Sequence, residues 1–330
     1  MSIKVVNGGL LTTVQDCGRY GYQKDGIVVS GAMDTYIMRL ANIIVGNEQN
    51  EAVLEITLIG PKLKIKKGTI ISICGANISP KINGLDVPMG RPVYILKDTI
   101  LEFGVCSSGC RAYLAFGGGI NVAELMGSKS TYLRGNIGTG VLKKDDILNI
   151  GKKSEFTQRI IDKISNKNSN EYFSYTSWYV NESIVKAKSE ATIGVFEDRQ
   201  YKYMKKESLD KFFDEKFIID NKSDRMGYTL KGNEIELKEN IEMISGEVSF
   251  GTIQLPPSGN PIILLADRAT AGGYPKIAHV AYYYFHDLVQ LKPSDKITFK
   301  KISFEEAEKL YLEKEEIIEN LEKSINIINI

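Results

Sequence analysis

Residues 57–66 of the chain read TLIGPKLKIK, and residues 229–238 read TLKGNEIELK. The two stretches are identical or similar at every other position, where a β-strand would face inward. Three more blocks repeat in the same order along the chain, pairing 73–75 with 244–246, 90–98 with 259–267, and 142–150 with 291–299. Several matched blocks in one order indicate an internal duplication.

Each copy is predicted to be an all-β unit. The apolar residues alternate with a period of two, the strands are short, and glycine and proline separate them, which is typical of a closed or nearly closed barrel. The predicted fold class is therefore mainly β, with two tandem β-barrel domains and a C-terminal helix. We expect an N-terminal motif segment over 1–50, a first barrel over 51–151, a linker over 152–188, a second barrel over 189–302 and a helix over 303–330.

The two segments outside the barrels differ in composition. The linker is rich in Lys, Asn and Ser, so we expect a surface connection with one helical turn. The C-terminal segment opens with SFEE at 303–306, which resembles a capping box, and apolar residues then recur at helical spacing. That stripe predicts a helix packed on a barrel.

Composition excludes several classes of partner. With 42 basic and 41 acidic residues, the net charge of +1 gives no general attraction for nucleic acid or an anionic membrane. No stretch approaches the roughly 18 apolar residues of a membrane span, and the N-terminus lacks the apolar core of a signal peptide, so we expect a cytoplasmic protein. Four scattered cysteines and two histidines predict reduced thiols and no metal site.

The first candidate binding motif is N-terminal and reads TTVQDCGRYGY over 12–22. Asp16 and Arg19 are close enough in sequence for a charge-assisted pair, and the two glycines permit a tight turn that presents Gln15 and Tyr22. The alternative is a structural ion pair that only fixes the turn.

A shorter version recurs in the second copy as SDRMGY over 223–228. Arg19 and Arg225 therefore occupy related places, and two guanidinium groups can clamp a carboxylate or phosphate bidentately. Alternatively, both arginines brace the barrel ends.

The third motif reads DRATAGGYPK over 267–276 and follows an apolar strand. Successive glycines can direct backbone N–H groups into an anion-binding nest, to which Lys276 would add positive charge. A purely structural turn is the alternative. His279 lies in an apolar run and is expected to pack, whereas His286 beside Asp287 is a weak acid–base candidate.

Several familiar motifs are absent from the sequence. It contains no GxxxxGK[ST] phosphate loop, no GxGxxG, no HExxH and no Met-Lys-Met biotin attachment site. Nucleotide or biotin chemistry would therefore need another kind of site or another chain, and no covalently attached biotin is expected.

Six motifs together resemble the family of 5-oxoprolinase C subunits, also called KipA or allophanate hydrolase subunit 2. They are TTVQDxGRxGY at 12–22, SGAMD at 30–34, GSxST at 127–131, SDRMGY at 223–228, GTIQxPP at 251–257 and DRxTxGGYPK at 267–276. The family is similar to part of the biotin-dependent carboxyltransferase domain of urea amidolyases. The resemblance extends from about residue 8 to residue 306.

The resemblance implies cyclophilin-like barrels and a chain that works with two partners, the KipI-like B component and the A component of 5-oxoprolinase. Such a complex opens the small molecule 5-oxoproline to L-glutamate with ATP, which a partner or this chain can bind. The lactam is an unreactive amide, so catalysis would rest on positioning and charge stabilisation. The implied catalytic residues are Arg19, Arg225, Asp267, Arg268 and Lys276; the implied substrate-binding residues are Gln15, Asp16, Tyr22, Ser30, Asp34, Asp224, Gln254, Thr270, Gly272, Gly273 and Tyr274.

Two departures from the family pattern lie near this expected site. Asp198-Arg199-Gln200 stands where the family usually has Gly-Pro-Gln, and Tyr284 stands near the usual position of an Asp. Two other functions stay open: the carboxyltransferase component of a biotin-dependent, urea-type carboxylase with a separate carrier, and a regulatory antagonist of a Kip-type inhibitor of a histidine kinase.

Overall fold

The structure is a computed structural model that describes residues 1–165, 170–184, 186, 188–239 and 243–328. It divides into two compact units. Unit 1 comprises Met1–Arg19, Asp34–Ala187 and Ile318–Ile330, and unit 2 comprises Tyr20–Met33 and Lys188–Ile317. The expected N-terminal segment is thus shared between the units.

Unit 1 contains two sheets and two helices. The strands are β1 (Ser2–Asn7), β2 (Leu11–Gln15), β3 (Val53–Thr57), β4 (Lys62–Ile65), β5 (Ile70–Asn77), β6 (Lys81–Ile82), β7 (Leu85–Asp86), β8 (Val93–Ile95), β9 (Thr99–Glu102), β10 (Ser108–Phe116), β11 (Ile120–Asn121), β12 (Ile147–Ile150) and β13 (Phe173–Tyr175). One sheet has the order β11-β12-β1-β4-β9-β6-β7, and the other has the order β13-β8-β5-β10-β3-β2. Alternate residues of both sheets, such as Val5, Leu63, Ile73 and Leu114, form one apolar core.

The helices of unit 1 are α1 (Thr35–Val45) and α2 (Glu155–Ile164). The expected linker is more ordered than its composition predicted, because α2 runs for 10 residues and buries three isoleucines, Ile160, Ile161 and Ile164. The same span contributes β13, which pairs with β8. The Lys and Asn content of this segment suggested a loop. The apolar residues of α2 nevertheless recur every three or four positions, which is the pattern of an amphipathic helix.

Unit 2 is a closed barrel with the strand order β14-β21-β18-β19-β16-β15-β22. Its strands and helices are β14 (Glu190–Glu197), α3 (Lys206–Asp214), β15 (Phe217–Ile219), β16 (Gly227–Lys231), β17 (Gly246–Glu247), β18 (Thr252–Gln254), β19 (Ile262–Leu264), β20 (Ala271–Gly272), β21 (Lys276–Val280), α4 (Phe285–Val289) and β22 (Lys296–Lys301). β17 and β20 pair separately as a two-stranded sheet. The predicted mainly β class is confirmed, and unit 2 is a closed barrel. The described strands of unit 1 form two sheets, so they do not make the other closed barrel that was expected over 51–151.

The predicted C-terminal helix is also confirmed as α5, Phe304–Ile328. Ser303 caps it by accepting a hydrogen bond from the Glu306 N–H at 3.1 Å. Its residues up to Ile317 belong to unit 2, and those from Ile318 onward belong to unit 1. Within the described part of the chain, no helix combines the length and apolar character needed to cross a bilayer.

Two of the duplicated blocks have the same local conformation in both copies. Asp145 and Ser294 have positive φ angles of 74° and 75°. In the first copy the Lys143 N–H donates to an Asp146 carboxylate oxygen at 2.7 Å, and in the second the Lys292 N–H donates to Asp295 at 3.0 Å. Gly90 and Gly259 likewise have φ angles of 70° and 73°.

The other two blocks differ between the copies. Ile73 is fully buried in β5, whereas its counterpart Ile244 is 93% exposed. Residues 62–65 form β4, whereas the matching residues of unit 2 form only an isolated bridge between Leu237 and Met204. Strand and turn composition alone therefore produced part of the apparent repeat.

Gly259→Ala tests the shared turn. A Cβ at this position would lie 2.8 Å from the Glu234 Cβ, and the left-handed backbone costs a non-glycine residue roughly 1–2 kcal/mol. We expect a loss of at least about 1 kcal/mol in the free energy of unfolding, measured by urea denaturation. The exposed neighbour Ser258→Ala is the control, and equal stability of both variants would contradict the assignment.

Candidate functional site

A cleft of 590 Å³ lies on the outer surface of the barrel in unit 2. Val195 of β14 and Val280 of β21 are paired and lie in the core, so the next pair, Phe196 and His279, faces outward. On the other side of β21, His279 is paired with Thr252 of β18. These three outward side chains lie across one wall of the cleft.

Loops complete the cleft. The lining also includes Tyr20, Gln23, Asp198, Arg199, Glu247 and Ser249. From the third sequence motif, Arg268, Thr270 and Lys276 line the same cleft. The structure therefore brings together three of the residues expected at the site and adds polar groups from distant parts of unit 2.

Arg268 has no ion-pair partner among the described residues. Its Nε lies 3.4 Å from the carbonyl oxygen of Val248, and its Nη1 donates to the carbonyl oxygen of Leu265 at 3.2 Å. Burial lowers the pKa of the guanidinium from its ordinary value, while the neighbouring charges of Tyr20 and Asp267 act in the opposite direction. An arginine bound only to carbonyl groups keeps its charge available for an anion.

Lys276 is the second cation of the cleft. The residue is only 7% exposed, and in the described chain its ammonium group has no carboxylate partner. Its backbone is held by Gln200, whose Oε1 accepts the Lys276 N–H at 3.0 Å. Two cations that lack acidic partners in the described part of one cleft make it suited to a carboxylate or phosphoryl group.

Arg225 and Asp267 form a buried ion pair. The Arg225 Nε donates to Asp267 Oδ2 at 2.9 Å and its Nη2 donates to Oδ1 at 3.0 Å. The Ser30 hydroxyl donates to the same Oδ1 at 2.7 Å, and the Gly31 carbonyl oxygen accepts from Arg225 at 2.6 Å. These contacts hold the segment Tyr20–Met33 on the barrel of unit 2.

The expected anion-binding nest at Gly272 and Gly273 is absent. Neither glycine has the left-handed φ of an αR–αL nest, and Gly272 lies in β20, paired with Gly246. A Cβ at Gly272 would lie 2.4 Å from Gln254 Nε2, so glycine is required there for close approach. The glycine signal therefore reports packing against Gln254.

The remaining predicted residues of unit 2 lie outside the lining of the cleft. Gly273 and Tyr274 line a second groove, and Gln254 Nε2 lies 3.4 Å from the Tyr274 carbonyl oxygen. Asp224 accepts the Met226 N–H at 2.7 Å and so fixes the turn before β16. The Tyr22 carbonyl oxygen accepts the Asp25 N–H at 3.0 Å.

In unit 1, the N-terminal motif binds the GSxST motif. Asp16 accepts hydrogen bonds from the Ser128 hydroxyl at 2.7 Å and from the Lys129 N–H at 2.6 Å. Arg19 Nη2 donates to the Ser130 carbonyl oxygen at 2.5 Å. Two motifs more than 100 residues apart thus form one buried cluster in unit 1.

Gln15 and Asp34 also have structural contacts in unit 1. Gln15 Nε2 donates to the Thr131 carbonyl oxygen at 3.1 Å. Asp34 is the N-cap of α1 and accepts the Ile37 N–H at 3.2 Å. The family resemblance implied that both residues bind substrate, and the structure gives each of them a structural hydrogen bond.

His279 was expected to pack in an apolar run, and its ring does lie against Phe196, with ring centroids 5.2 Å apart. Sequence reasoning missed that His279 also lines the cleft. Its strand register with Phe196 and Thr252 is the signal that would have found it. Of the two departures from the family pattern, Asp198 and Arg199 line the cleft. Tyr284 does not, because it lies in the core against Gly194.

No metal centre is formed by the described residues, among which no group of three or more His, Cys, Asp or Glu side chains is arranged to hold an ion. The charged groups that line the cleft are Arg199, Arg268 and Lys276 and the carboxylates of Glu197, Asp198 and Glu247. The other polar groups include the His279 imidazole and the hydroxyls of Ser249, Thr252 and Thr270. Such groups bind and orient anionic or hydrogen-bonding ligands.

Comparison with known families identifies the class of protein. Residues 25–301 match the model of the carboxyltransferase domain, subdomain A and B. The chain belongs to this carboxyltransferase domain family, as the sequence motifs predicted.

Two curated relatives match along their whole length. The chain is 31% identical to the C subunit of 5-oxoprolinase from Escherichia coli, with 97% of each chain covered. It is 30% identical to the corresponding 5-oxoprolinase chain of Haemophilus influenzae, with 95% of this chain and 96% of the relative covered.

A second group of relatives is much longer. The urea amidolyase of Lachancea kluyveri is 32% identical over 97% of this chain but only 18% of its own length. The crystal structure of the K. lactis urea amidolyase superposes with a TM-score of 0.83 and 29% identity, covering 97% of this chain and 20% of that chain. The chain is thus similar to one region of those larger proteins.

Asp267→Ala tests the buried ion pair. Removing one partner leaves the Arg225 charge buried, which costs about 3–5 kcal/mol. We expect a large fall in the free energy of unfolding by urea denaturation, with partial recovery in the double variant Arg225→Met/Asp267→Ala. Glu247→Ala, which removes an exposed carboxylate, is the control. A stability close to wild type for Asp267→Ala would refute the structural role.

The pH dependence of stability tests the environment of His279. Burial lowers the His279 pKa below its ordinary value; the charge of Asp198 raises it and that of Arg268 lowers it further. The unfolded chain therefore binds more protons than the folded one below about pH 6.5, and stability falls as pH drops towards the folded pKa.

We expect the stability of the wild type relative to His279→Gln to decrease between pH 7.5 and pH 5, since all other groups titrate alike in both proteins. Urea denaturation at several pH values measures this difference. A difference that is constant, or that increases on acidification, would show that His279 is not buried as described.

Proposed function

We propose that this chain is the C subunit of an ATP-dependent 5-oxoprolinase, which opens 5-oxoproline to L-glutamate together with the KipI-like B component and the A component. The whole-length similarity to two 5-oxoprolinase chains of the same type supports this choice. The match to urea amidolyase covers only 18% of that protein, so the remainder of a urea amidolyase has no counterpart in this chain.

The pair of cations in the cleft, Arg268 and Lys276, is the observation that carries the proposal. The substrate 5-oxoproline has a carboxylate, and coupling to ATP places a phosphoryl group at the reacting centre. Both groups need positive charge that is not already neutralised by the protein. Arg268 and Lys276 meet this need, because the described residues offer them only carbonyl oxygens or backbone contacts.

The hydroxyl groups around these cations could also take part in the reaction by donating hydrogen bonds. A lactam carbonyl is a poor electrophile. Transfer of the ATP γ-phosphoryl group to its oxygen, with release of ADP, would make the ring carbon open to attack by water. Cleavage of the ring C–N bond and release of phosphate would then give glutamate. In that reaction this chain would bind and orient the anionic groups, and the hydroxyls of Thr252 and Thr270 would supply hydrogen bonds. The sequence has no phosphate-binding loop, so ATP would be bound by a partner chain or by another kind of site in this chain.

A second candidate is the carboxyltransferase component of a urea-type carboxylase. It is favoured by the superposition on the Kluyveromyces lactis urea carboxylase, with a TM-score of 0.83 over 97% of this chain. A carboxylated biotin is also anionic and would suit the same cations. This function would require a separate biotin carrier, since the chain has no biotin attachment site.

Reconstitution with the A and B components distinguishes the two candidates. We expect ATP-dependent glutamate formation from 5-oxoproline by the purified complex of all three chains, measured by coupled detection of glutamate. A folded complex without turnover would overturn the proposal, and bicarbonate-dependent carboxylation with an added biotin carrier would favour the second candidate.

Arg268→Ala and Lys276→Ala test the cleft within that complex. Removing one group that stabilises developing charge lowers kcat by about 10²–10³-fold in comparable sites, and we expect losses of this order. Lys205→Ala is the control, since Lys205 is paired with Glu236 outside the cleft. Unchanged kinetics for both cleft variants would remove the cleft from the reaction.

A further inference from the structure

An ion pair crosses the mouth of the same cleft. Arg199 Nη2 lies 3.4 Å from a Glu247 carboxylate oxygen, and the two side chains are 68% and 84% exposed. Both residues line the cleft that contains Arg268 and Lys276. An exposed pair of this kind is weak and is readily replaced by another charged partner.

The wall that carries Arg199 is fixed to Lys276. The Gln200 N–H donates to the Lys276 carbonyl oxygen at 3.0 Å, and Gln200 Oε1 accepts the Lys276 N–H at 3.0 Å. The Arg199 N–H in turn donates to the Asp198 carboxylate at 2.6 Å. The backbone of Arg199 is therefore held beside one of the two inner cations, while its guanidinium group extends into solvent.

The wall that carries Glu247 is fixed near Arg268. Glu247 lies in β17 and is paired with Ala271 of β20. The adjacent Val248 N–H lies 3.3 Å from the Thr270 carbonyl oxygen, and Arg268 Nε lies 3.4 Å from the Val248 carbonyl oxygen. The pairing of β17 with β20 therefore places Glu247 at the mouth of the cleft, close to Arg268.

We propose that Arg199 is a specificity-determining residue that selects ligands with two separate anionic groups. One anionic group is bound by Arg268 and Lys276, and the second displaces Glu247 from Arg199. The ligand class is a small dianion, carrying either two carboxylates or a carboxylate and a phosphoryl group. A guanidinium group suits this role because it binds carboxylate and phosphoryl oxygens equally well through paired N–H donors.

This inference rests on the proposed function for its biological ligand. 5-Oxoproline has one anionic group, whereas a phosphorylated lactam and the product glutamate each have two. Arg199 would then favour the species that form after ATP has reacted. Glu247 would pair with Arg199 until the second anionic group of such a ligand displaces it.

Direct binding to the isolated full chain tests the inference without turnover. The probes are glutarate, a five-carbon dicarboxylate, and butyrate, a monocarboxylate, measured by isothermal titration calorimetry at low salt. We expect the wild type to bind glutarate at least about tenfold more tightly than butyrate, by one additional charge-assisted contact. Failure of the wild type to show this preference would overturn the proposal.

Two variants separate the roles of the pair. Arg199→Ala is expected to abolish the preference for glutarate while leaving butyrate binding unchanged, and Arg199→Lys is expected to restore part of it. Glu247→Gln removes the competing carboxylate and is expected to tighten glutarate binding several-fold. Circular dichroism confirms folding, and Lys205→Ala is the matched lysine control outside the cleft. An unchanged preference in Arg199→Ala would refute the assignment.

The outcomes are distinguishable from those of the reconstitution. A preference that follows Arg199 in a chain whose complex gives no glutamate would leave this inference standing and remove the proposed function. Turnover by the complex, together with equal binding of glutarate and butyrate, would support the proposed function and refute this inference.

Discussion

Arg225 and Asp267 are 42 residues apart in sequence and meet in a bidentate ion pair that is almost completely removed from water. Burying two charges is costly unless every polar atom is satisfied, and here the Ser30 hydroxyl and the Gly31 carbonyl oxygen complete the set. The pair joins the turn before β16 to the loop after β19. It also places the segment Tyr20–Met33 on the barrel, and that segment supplies Tyr20 and Gln23 to the cleft.

The same pair determines which arginine is available to a ligand. Asp267 and Arg268 are neighbours in sequence, but the Asp267 carboxylate is directed to Arg225 and Ser30. Arg268 is left with carbonyl oxygens, and Lys276 with a backbone contact to Gln200. A structural role for one arginine and a binding role for the next follow from a single arrangement of hydrogen bonds.

Much of the fold could be predicted from the sequence, because alternation of apolar residues and glycine punctuation report strands and turns directly. The mainly β class, the barrel of unit 2 and the terminal helix followed from those patterns, whereas only two of the four repeated blocks have the same conformation in both copies. The grouping of Arg268, Thr270 and Lys276 also followed, since all three lie close in sequence around one turn. What could not be predicted was which side chains satisfy one another. The Arg225–Asp267 pair and the row Phe196–His279–Thr252 depend on contacts and strand register between distant segments.

The glycines of the third motif also show that contacts between distant segments could not be predicted from the sequence. Gly272 and Gly273 in a charged turn suggested an anion-binding nest, yet Gly272 is needed because Gln254 approaches it closely. A glycine reports that space or an unusual backbone is required, without saying whether a ligand or a neighbouring side chain requires it. The anion-binding role that we propose for unit 2 rests instead on the side chains of Arg268 and Lys276.

Anomalous diffraction from crystals soaked in selenate can locate an anion in the cleft. We expect a selenium peak inside the cleft, within hydrogen-bonding distance of Arg268 or Lys276, which disappears in crystals of Arg268→Ala. Selenate found only on exposed surface lysines, with the cleft empty in the wild type, would contradict it.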